Sequence, residues 1–500
     1  MTLINTSGCM TKANLLSKVK ALFRPIIEIQ YANEKKIGGL LVLKFLLALV
    51  YCILAGIKDT LLITAHSSSA EVIPIIKGAI IFPLSIVVVI FYTKLDNHFK
   101  QSTLFYSTIL FFLCCILLYC FLLYPNAYKG SPNIIADRLT IYSDGKHLHW
   151  IAIFRHWIHV LFFIIAELWG QVVLMVLYWN FANSICTVDE GKKYYGILIA
   201  AGDLPLIITA QLIQVLLKKN VPFLLTVQSL ARYIVVLCVL ILFTYWWVNK
   251  TINKNPGNVY HSRAVSTKIR LSLRESFHYI ICSKYLTHLA MMVISCAFSV
   301  NLMEATWKSY IKDVFPKSID YQNFSSSVAF WSGIFALATS LFLTRGFIEK
   351  FGWGKAIKIV PISIAIMGCS FFLMSYAKNS VPFLQNSIGT SFARYIAWWG
   401  GVQSIVIRVV KYAFFDKTIQ IAYIPLAPSI KVKGKTAVDI LGSNIGKAGS
   451  AWIQIGLLEL FNTNSLQNIS LILFMLLLII SICWYKSINY VDHHLTTSTR

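Results

Sequence analysis

The sequence predicts an all-α polytopic membrane protein, and three observations support that fold class. Hydrophobic residues make up 57% of the 500 residues and charged residues only 13%, with a mean hydropathy of +0.67. Soluble chains carry about 25% charged residues on average, so a soluble globular protein is excluded. Disordered and coiled-coil chains are excluded too, because they need many more polar residues. The third observation is a series of long apolar segments, each near the length that crosses a bilayer.

Twelve apolar segments are candidates for transmembrane helices. They lie at 38–64, 73–93, 104–124, 150–183, 194–217, 222–248, 283–308, 324–345, 356–377, 382–415, 436–460 and 467–485. An even number places both termini on one side of the membrane. If that side is the cytoplasm, roughly 26 Lys and Arg lie inside and roughly 10 outside, as the positive-inside rule requires. We expect a multi-pass protein of the cell membrane, or of the inner membrane in a bacterium, with cytoplasmic termini.

The longest inside loop, 249–274, contains six basic residues and no acidic residue, and it separates two sets of six segments. The domains we expect are a cytoplasmic segment at 1–37 with a candidate interfacial helix at 14–30, a six-helix bundle at 38–248, the basic linker at 249–274, a second bundle at 275–485 and a cytoplasmic tail at 486–500. The net charge of +25 then reflects orientation in the membrane and not nucleic-acid binding.

The two predicted halves resemble each other at matching positions. The fourth and tenth segments are both long, at about 33 residues or about 50 Å of helix. Each ends in a cluster of polar and aromatic residues, WNFAN in the first half and KYAFFD in the second. Two six-helix repeats are typical of secondary transporters, which bind substrate between the repeats near the middle of the membrane.

Two carboxylates interrupt apolar runs, where an ionisable group costs several kcal/mol unless it has a partner or a function. Glu167 lies 16 residues from either end of the fourth segment, near the expected centre of the bilayer. It is either part of a buried ion pair, a protonated acid, or a substrate-site or coupling carboxylate. Glu304 lies one helical turn before Lys308, so a local ion pair and a functional role are both open.

Lys58 has apolar residues on both sides, so it either reaches the outer surface or faces an aqueous cavity. Asp59 follows it at about 100° around the helix, and we expect that the two side chains do not meet. With Glu167 and Glu304, Asp59 completes our set of candidate coupling or ion-pairing residues.

The eleventh segment contains a narrow face of small residues, formed by Gly442, Gly446 and Gly449. Such a face permits close helix packing. Lys447 lies on the adjoining stripe with Ser443 and Ser450, and Asn444 lies further round. A lysine in these surroundings indicates an aqueous cavity and contact with an anionic substrate.

Three lysines from three helices, Lys58, Lys308 and Lys447, form a set that suits a small polyanion. Each is a point charge for a phosphate oxygen in a partly dehydrated cleft, where Coulomb attraction is stronger than in water. Asn180 and Asn444 are the candidate amide contacts. From residues alone, the function is transport of an organic anion.

Metal binding, disulfides and nucleotide hydrolysis are not expected. Four histidines lie close together at 147, 149, 156 and 159, but no carboxylate completes a metal-ligand pattern and HExxH is absent. The eleven cysteines are scattered without a CxxC motif, which is typical of reduced thiols in helices. GSNIGKAG has neither the spacing nor the Ser or Thr of a phosphate-binding loop. We therefore expect no metal and no cofactor.

Eight motifs in order give the chain a resemblance to a known family: RPIIEIQYANEKK, IKDTLLIT, AELWG, YWNFAN, VNLMEATWKS, VKYAFFD, YIPL and VKGKTAVDILGSNIGKAGS. It resembles the nucleotide transporter family of the ATP/ADP translocase type, found in obligate intracellular bacteria and plastids and unrelated to the mitochondrial carrier. The resemblance implies a twelve-helix fold like the major facilitator superfamily and nucleotide exchange without hydrolysis. It also implies roles in binding or transport for Lys58, Glu167, Glu304 and Lys447.

The chain departs from the family pattern at four positions. Ala55 and Asn444 stand where many relatives have arginine, Asn180 where they have glutamine, and Ala427 where they have an acidic residue. Two cationic side chains are therefore missing from expected cavity positions. Because fewer fixed positive charges weaken a highly charged ligand most, we hypothesise a preference for a nucleotide other than ATP or ADP, or for fewer phosphates.

The function expected from the sequence is nucleotide transport by alternating access through a central cationic site, in a monomer that binds no nucleic acid. ATP/ADP-type exchange and import of another nucleotide are both open. The alternatives are a transporter of a non-nucleotide phosphorylated metabolite and a polytopic membrane transferase. The base, the number of phosphates, the counter-substrate and proton coupling are not determined by the sequence.

Overall fold

The computed structural model describes residues 31–127, 131–143, 147–186, 201–202, 204–217, 221–253, 283–381, 389–423 and 442–498, together with Tyr194, Leu198 and Val438. Within these ranges the chain is helical and contains no β-strand. The all-α class expected from composition is therefore confirmed. The candidate interfacial helix at 14–30 and most of the basic linker lie outside the described residues.

The first half begins with helices joined by short connections. Its first elements are α1 (Tyr31–Ile63), α2 (Val72–Ile75), a π-helical turn (Ile76–Ile81), α3 (Phe82–His98), α4 (Gln101–Leu117), a second π-helical turn (Leu118–Leu123) and α5 (Ser131–Tyr142). The π-helical turn after α2 continues directly into α3, so 72–98 forms a single path across the bundle.

The fourth predicted segment is not one uninterrupted α-helix. It consists of α6 (Leu148–Arg155), α7 (Trp157–Leu168), a π-helical turn (Trp169–Leu177) and α8 (Tyr178–Ile185). His156 separates α6 from α7 with φ −104° and ψ 32°, outside the α-helical region. Glu167 consequently lies near the end of α7, directly before the π-helical turn, and not at the middle of a straight helix. The first half ends with α9 (Leu204–Leu216) and α10 (Phe223–Asn253).

The second half begins with two long helices. Its elements are α11 (Lys284–Val314), α12 (Ser318–Phe342), α13 (Thr344–Phe351), α14 (Trp353–Ser380), α15 (Gly389–Val410), a π-helical turn (Lys411–Phe415), α16 (Asp416–Ala422), α17 (Ser443–Leu460) and α18 (Ser470–Ser498). The tenth predicted segment, 382–415, therefore ends in a π-helical turn, whereas the fourth contains one in its interior.

Eight of the described helical stretches are long and apolar enough to cross a membrane. They correspond to eight of the twelve predicted segments, and the other four are represented by shorter or more polar helices. Only 13 residues of α9 and 18 of α17 are described as helix. Helix α12 carries Asp320, Gln322 and Asn323 in its first turns, and α15 carries Arg394 and Arg408, which lowers the hydropathy of both.

Two apolar cores organise the described helices. One core is formed within the first half by side chains of α1, α4, α7 and α10, such as Leu47, Phe105, Phe162 and Ile241. The other is centred on α11, α14, α15 and α18, and it also includes Leu62, Ile63 and Ile73 from the first half. The two halves therefore pack together around the C-terminal end of α1, called the latch end below. On the outside of the bundle, Phe111, Val236 and Ile479 are exposed, as expected for helices that are apolar on every face.

Contacts between the halves involve a few helix pairs. Helix α9 of the first half packs against α12 of the second, while α2 and the π-helical turn after it pack against α17. Helix α1 also contacts α12. These pairs place α1, the Ile76–Ile81 turn, α11 and α17 around one central region, and the charged residues singled out from the sequence lie on these elements.

Candidate functional site

Six charged side chains form a buried ion network between the halves: Lys58, Asp59, Lys77, Glu167, Glu304 and Lys308. Asp59 is at its centre. Its Oδ1 lies 2.9 Å from Lys58 Nζ, and its Oδ2 lies 2.7 Å from Lys308 Nζ. Asp59 belongs to α1 and Lys308 to α11. One carboxylate therefore links the two halves, at a distance typical of charge-assisted hydrogen bonds.

Lys58 is buried within this network. Its ammonium lies 3.1 Å from Glu167 Oε1 and 3.8 Å from the centre of the Phe163 ring, and only 6% of its side chain is exposed. The interpretation that Lys58 reaches the outer surface is therefore wrong. The expectation that Lys58 does not meet Asp59 is also wrong: adjacent Cβ atoms diverge on a helix, but the long lysine side chain bends back to the neighbouring carboxylate.

Glu304 and Lys308 form the local ion pair that their spacing allows, with Oε1 2.7 Å from Nζ. The pair is not only local, because the same ammonium binds Asp59 across the halves. Arg408 on α15 is also within electrostatic range of Glu304. Glu304 is the most exposed carboxylate of the network, at 29% of its side chain, so this end of the network is the most accessible.

Lys77 joins the network from the π-helical turn Ile76–Ile81. Its ammonium donates a hydrogen bond to Asn301 Oδ1 at 2.8 Å and lies 3.8 Å from Glu304 Oε2. Gly78 beside it lets Trp452 and Ala451 of α17 pack closely, since a Cβ there would lie only 3.2 Å from the Ala451 Cβ. π-Helical turns within helices are often found at functional sites.

Helix α17 places Lys447 beside the network without an ion-pair partner among the described residues. Its side chain is exposed, and its positive charge acts on Glu167 together with those of Lys58 and Lys77. The glycine face is packed as expected: a Cβ on Gly446 would lie 2.5 Å from the Ile294 carbonyl oxygen of α11. This close approach fixes α17 against α11.

The two candidate amides occupy different surroundings. Asn444 is half-buried on α17, three residues before Lys447 and therefore on a neighbouring part of the same turn. Asn180 on α8 is exposed, and its side chain hydrogen-bonds Tyr92 of α3. Close to it, the Lys44 ammonium lies over the rings of Tyr178 and Trp179 at 4.8 and 5.5 Å.

The latch end is closed by hydrogen bonds between the halves. Thr60 donates to Gln322 at 2.5 Å, and the hydroxyls of Thr64 and Ser318 are 2.7 Å apart. Buried Glu71 accepts hydrogen bonds from the Ser309 hydroxyl and from the backbone N–H of Leu466. Each of these contacts lies near the C-terminus of α1, the start of α2 or the facing ends of α11, α12 and α18.

The four histidines at 147, 149, 156 and 159 also make hydrogen bonds at the latch end. Glu459 of α17 accepts from His149 Nε2 at 3.1 Å and Trp150 Nε1 at 2.9 Å, and its Oε2 lies 2.8 Å from His147 Nδ1. His156 contacts the His66 carbonyl oxygen, and His159 contacts the Tyr119 hydroxyl. No group of three metal-ligand side chains is found among the described residues.

Two members of the site were missed or left without a role by sequence reasoning. Lys77 interrupts an apolar run but gave no pattern that assigns it a partner, and Asn301 is uncharged and did not stand out. A usable signal was present, because Asn301 lies three residues before Glu304 and therefore on the same face of α11. Five of the predicted site residues lie together as one connected group: Lys58, Asp59, Glu167, Glu304 and Lys308.

The charges of the ion network balance. Three lysines face three carboxylates, and Lys447 adds one further positive charge beside them. An anion that takes the place of a carboxylate at one of these ammonium groups leaves that carboxylate without its partner, which is costly in a buried site.

Comparison with known proteins gives consistent relatives. A profile of the family described as TLC ATP/ADP transporter matches residues 10–495. ADP,ATP carrier protein 1 of Chlamydia muridarum is 33% identical over 433 residues, covering 85% of this chain and 82% of that protein. The chloroplastic ADP,ATP carrier protein 1 of Arabidopsis thaliana is 33% identical, with 93% and 75% covered, and ADP,ATP carrier protein 1 of Rickettsia bellii is 31% identical, with 88% and 89% covered.

Solved transporter structures share the fold. The nucleoside transporter NupG superposes with a TM-score of 0.51 at 12% identity, covering 90% of this chain and 98% of that one. A POT family transporter in complex with 5-aminolevulinic acid gives a TM-score of 0.52 at 10% identity, with 91% and 96% covered. These similarities support the expected major facilitator-like fold, and the expectation of a transporter and not a membrane transferase is confirmed by the family match. The chain belongs to the TLC ATP/ADP transporter family.

Proposed function

We propose that this protein carries nucleotides across a membrane by alternating access around the ion network, as an ATP/ADP-type exchanger or as an importer of another nucleotide. Relatives over most of the chain are named ADP,ATP carrier proteins. The observation that carries the proposal is the Lys308–Asp59 ion pair, which connects the two halves through a buried charge pair. No hydrolysis is needed, because exchange is driven by the gradients of the nucleotides themselves.

The architecture we propose consists of twelve transmembrane helices in two six-helix pseudo-repeats. The bundles are 38–248 and 275–485, joined by the basic linker 249–274 and flanked by the segments 1–37 and 486–500. Helices at all twelve predicted positions and two apolar cores support this division. The π-helical turns at Trp169–Leu177 and Lys411–Phe415, in the fourth and tenth segments, support the internal repeat.

The orientation we propose places both termini in the cytoplasm, in a monomer that spans the cell membrane, or the inner membrane if the host is a bacterium. The distribution of Lys and Arg supports this orientation. The latch end then faces outward, and the described hydrogen bonds between the halves close the outer side of the central site. In this structure the central site is accordingly closed on its outer side.

The substrate site we propose contains Lys58, Lys308 and Lys447 as phosphate ligands. Asn444 on the turn of Lys447 and Asn180 on α8 are the proposed amide contacts. In the empty site Glu167, Glu304 and Asp59 hold the ammonium groups, and an arriving polyphosphate replaces them. The released carboxylates weaken the contact between α1 and α11, so the halves rock and expose the site to the other side. A cofactor has no role in this cycle.

Counter-flow in proteoliposomes tests the proposal directly. Vesicles containing the purified protein are preloaded with a panel of unlabelled nucleotides, and uptake of one labelled nucleotide is measured. We expect accumulation only when the vesicles contain a nucleotide that the protein accepts, and no release of inorganic phosphate. Uptake that is independent of every internal nucleotide would contradict exchange, and absence of nucleotide uptake under all conditions would contradict nucleotide transport.

A transporter of a phosphorylated metabolite other than a nucleotide is the second candidate. It is favoured by Ala55 and Asn444, where many relatives have arginine, because a site with fewer cations suits fewer phosphate groups. The same vesicles preloaded with sugar phosphates distinguish the two. Uptake that is competed by a sugar phosphate and not by any nucleoside phosphate would favour this second function.

A further inference from the structure

Lys77 is the least compensated lysine of the ion network. Lys58 and Lys308 each have two carboxylate oxygens within 3.1 Å. Lys77 has one carboxylate oxygen at 3.8 Å, from Glu304, whose other oxygen is already bound by Lys308. Its closest partner is the neutral Asn301 amide at 2.8 Å. Hydrogen bonds between an ammonium and a neutral amide are weaker than those to a carboxylate, so Lys77 changes partner most easily.

Asn301 holds Lys77 in a position between the halves. Its amide nitrogen donates to the Lys447 carbonyl oxygen at 3.3 Å, while its oxygen accepts from Lys77. Asn301 is itself buried, with 5% of its surface exposed. Lys77 and the turn that carries Lys447 are therefore connected through one side chain. A ligand group that replaces Asn301 at the Lys77 ammonium therefore lies next to Lys447, the exposed lysine of α17.

The number of phosphate groups on a ligand determines how strongly the ligand is attracted to an ammonium such as that of Lys77. The attraction between an ammonium and a ligand rises with the ligand's negative charge, and it is larger in a partly buried site than in water. Lys58 and Lys308 are each held between two carboxylates, so a ligand must displace carboxylates to use them. Lys77 gives up a hydrogen bond to a neutral amide and one longer contact, at 3.8 Å, with a carboxylate that Lys308 also binds.

We propose that Lys77 binds the additional phosphate group that distinguishes a nucleoside di- or triphosphate from a monophosphate, taking the place of its hydrogen bond to Asn301. This assignment rests on the proposed function, because it requires that the ligand is a nucleotide. Lys77 is then a specificity-determining residue for phosphate number, and Asn301 is the neutral partner that keeps it available.

Nucleotide affinities measured on protein in lipid nanodiscs test this assignment. Adenosine, guanosine, cytidine and uridine series of mono-, di- and triphosphate are titrated into the wild type by calorimetry, and the series that binds is then titrated into the variants. We expect Lys77→Gln to weaken triphosphate binding at least tenfold more than monophosphate binding, and Lys77→Arg to restore most of the difference. Lys94→Gln, an exposed lysine of α3, is the matched control and should leave all three affinities unchanged.

Two substitutions of Asn301 separate ligand binding by Lys77 from a merely structural contact. Asn301→Asp adds a carboxylate beside the ammonium, and we expect the same graded loss as in Lys77→Gln while Lys77 is still present. Asn301→Ala removes the neutral partner, and we expect the preference for triphosphate to be kept. If the bond between Lys77 and Asn301 only stabilises the fold, Asn301→Ala should instead reproduce Lys77→Gln. Because both variants retain the lysine, the result stands even if Lys77→Gln fails to fold.

The outcomes distinguish this proposal from the proposed function. If the wild type binds no nucleotide of any base, nucleotide transport is contradicted and the role of Lys77 falls with it. If the wild type binds nucleotides but Lys77→Gln weakens the mono-, di- and triphosphate by equal factors, only the role of Lys77 is overturned. A graded loss in Lys77→Gln and Asn301→Asp, absent in Lys94→Gln, supports it.

Discussion

The ammonium of Lys308 on α11 lies 2.7 Å from the carboxylate of Asp59 on α1, across 249 residues of sequence. Both groups have a second partner in their own half, Glu304 for Lys308 and Lys58 for Asp59. Separation of the halves therefore divides the network into two parts, each of which still contains opposite charges. Such an arrangement permits the halves to part without exposing an isolated buried charge to a low dielectric.

Coupling between Asp59 and Lys308 is expected to be measurable by a double-mutant cycle. Asp59→Asn and Lys308→Gln each remove one side of the contact, and the pair of substitutions together should cost less than their sum by about 1–3 kcal/mol. The free energy of unfolding from denaturant titrations in detergent provides the measurement. Additive effects within about 0.3 kcal/mol would show that the contact contributes nothing.

Lys447 and Lys58 should both be required for transport but should differ in their effect on stability. Lys447 is exposed, so Lys447→Ala should reduce nucleotide uptake at least tenfold while leaving the melting temperature nearly unchanged. Lys58→Ala removes a buried partner of Asp59 and Glu167. It should lower nucleotide uptake, and it should lower the free energy of unfolding by about 3 kcal/mol or more and with it the melting temperature. Wild-type uptake by either variant would refute its assignment to the site.

The glycine face of α17 offers a stability test with an internal control. At Gly446 a Cβ would lie 2.5 Å from the Ile294 carbonyl oxygen and 2.8 Å from the Ala297 Cβ, so Gly446→Ala should destabilise the protein by about 1–3 kcal/mol. At Gly456 on the same helix no atom lies within 4 Å, and Gly456→Ala should be neutral or stabilising by up to about 1 kcal/mol. Thermal unfolding of both variants decides, and equal melting temperatures would contradict the close packing.

Glu459 should control the latch end without contacting substrate. Glu459→Ala removes the acceptor of His149 and Trp150, and we expect easier opening of this end with nucleotide affinity within about twofold of the wild type. The rate at which a maleimide labels a single cysteine at position 64, in a background without other cysteines, reports opening. Trp150→Phe removes one donor and should give a smaller increase. An unchanged labelling rate in Glu459→Ala would exclude a clamping role.

Adding a cation at position 444 tests the hypothesis about phosphate number. Asn444→Arg places a guanidinium at a half-buried position on the Lys447 turn. We expect tighter triphosphate binding by about tenfold or less, equivalent to about 1.4 kcal/mol, with a smaller gain for the monophosphate. Competition of labelled nucleotide uptake by each unlabelled phosphate provides the comparison. Equal gains for all ligands would attribute the effect to contacts with the base or sugar.

The fold class and the main charged residues were predictable because each leaves a strong local signal. Long apolar runs identify helices without knowledge of their neighbours, and Lys58, Glu167 and Glu304 stand out because ionisable groups are rare in such runs. The local partner of Glu304, Lys308, was predictable from the spacing, but the partners of Lys58 and Glu167 were not. The Lys308–Asp59 contact depends on how α1 packs against α11, which no local pattern encodes.

The failures have local physical causes. The helical-wheel argument against a Lys58–Asp59 contact uses Cβ directions, but the reach of a lysine exceeds the divergence of two adjacent positions. A π-helical turn adds about one residue to a turn and leaves hydropathy unchanged, so the interruption after Glu167 has no sequence signature. Asn301 is polar but uncharged and lies among Val300, Leu302 and Met303, where a single amide is inconspicuous.

The balance of charge in the ion network determines how the membrane voltage acts on the unloaded carrier. Each elementary charge moved through 100 mV changes its energy by about 2.3 kcal/mol. Lys58, Asp59, Lys77 and Glu167 move with the first half and Glu304 and Lys308 with the second, and the charges of each set sum to zero. In the transport cycle proposed above, the membrane voltage therefore does no net work on either set. The work that it does in a cycle depends on the cargo and on cations outside the network, such as Lys447.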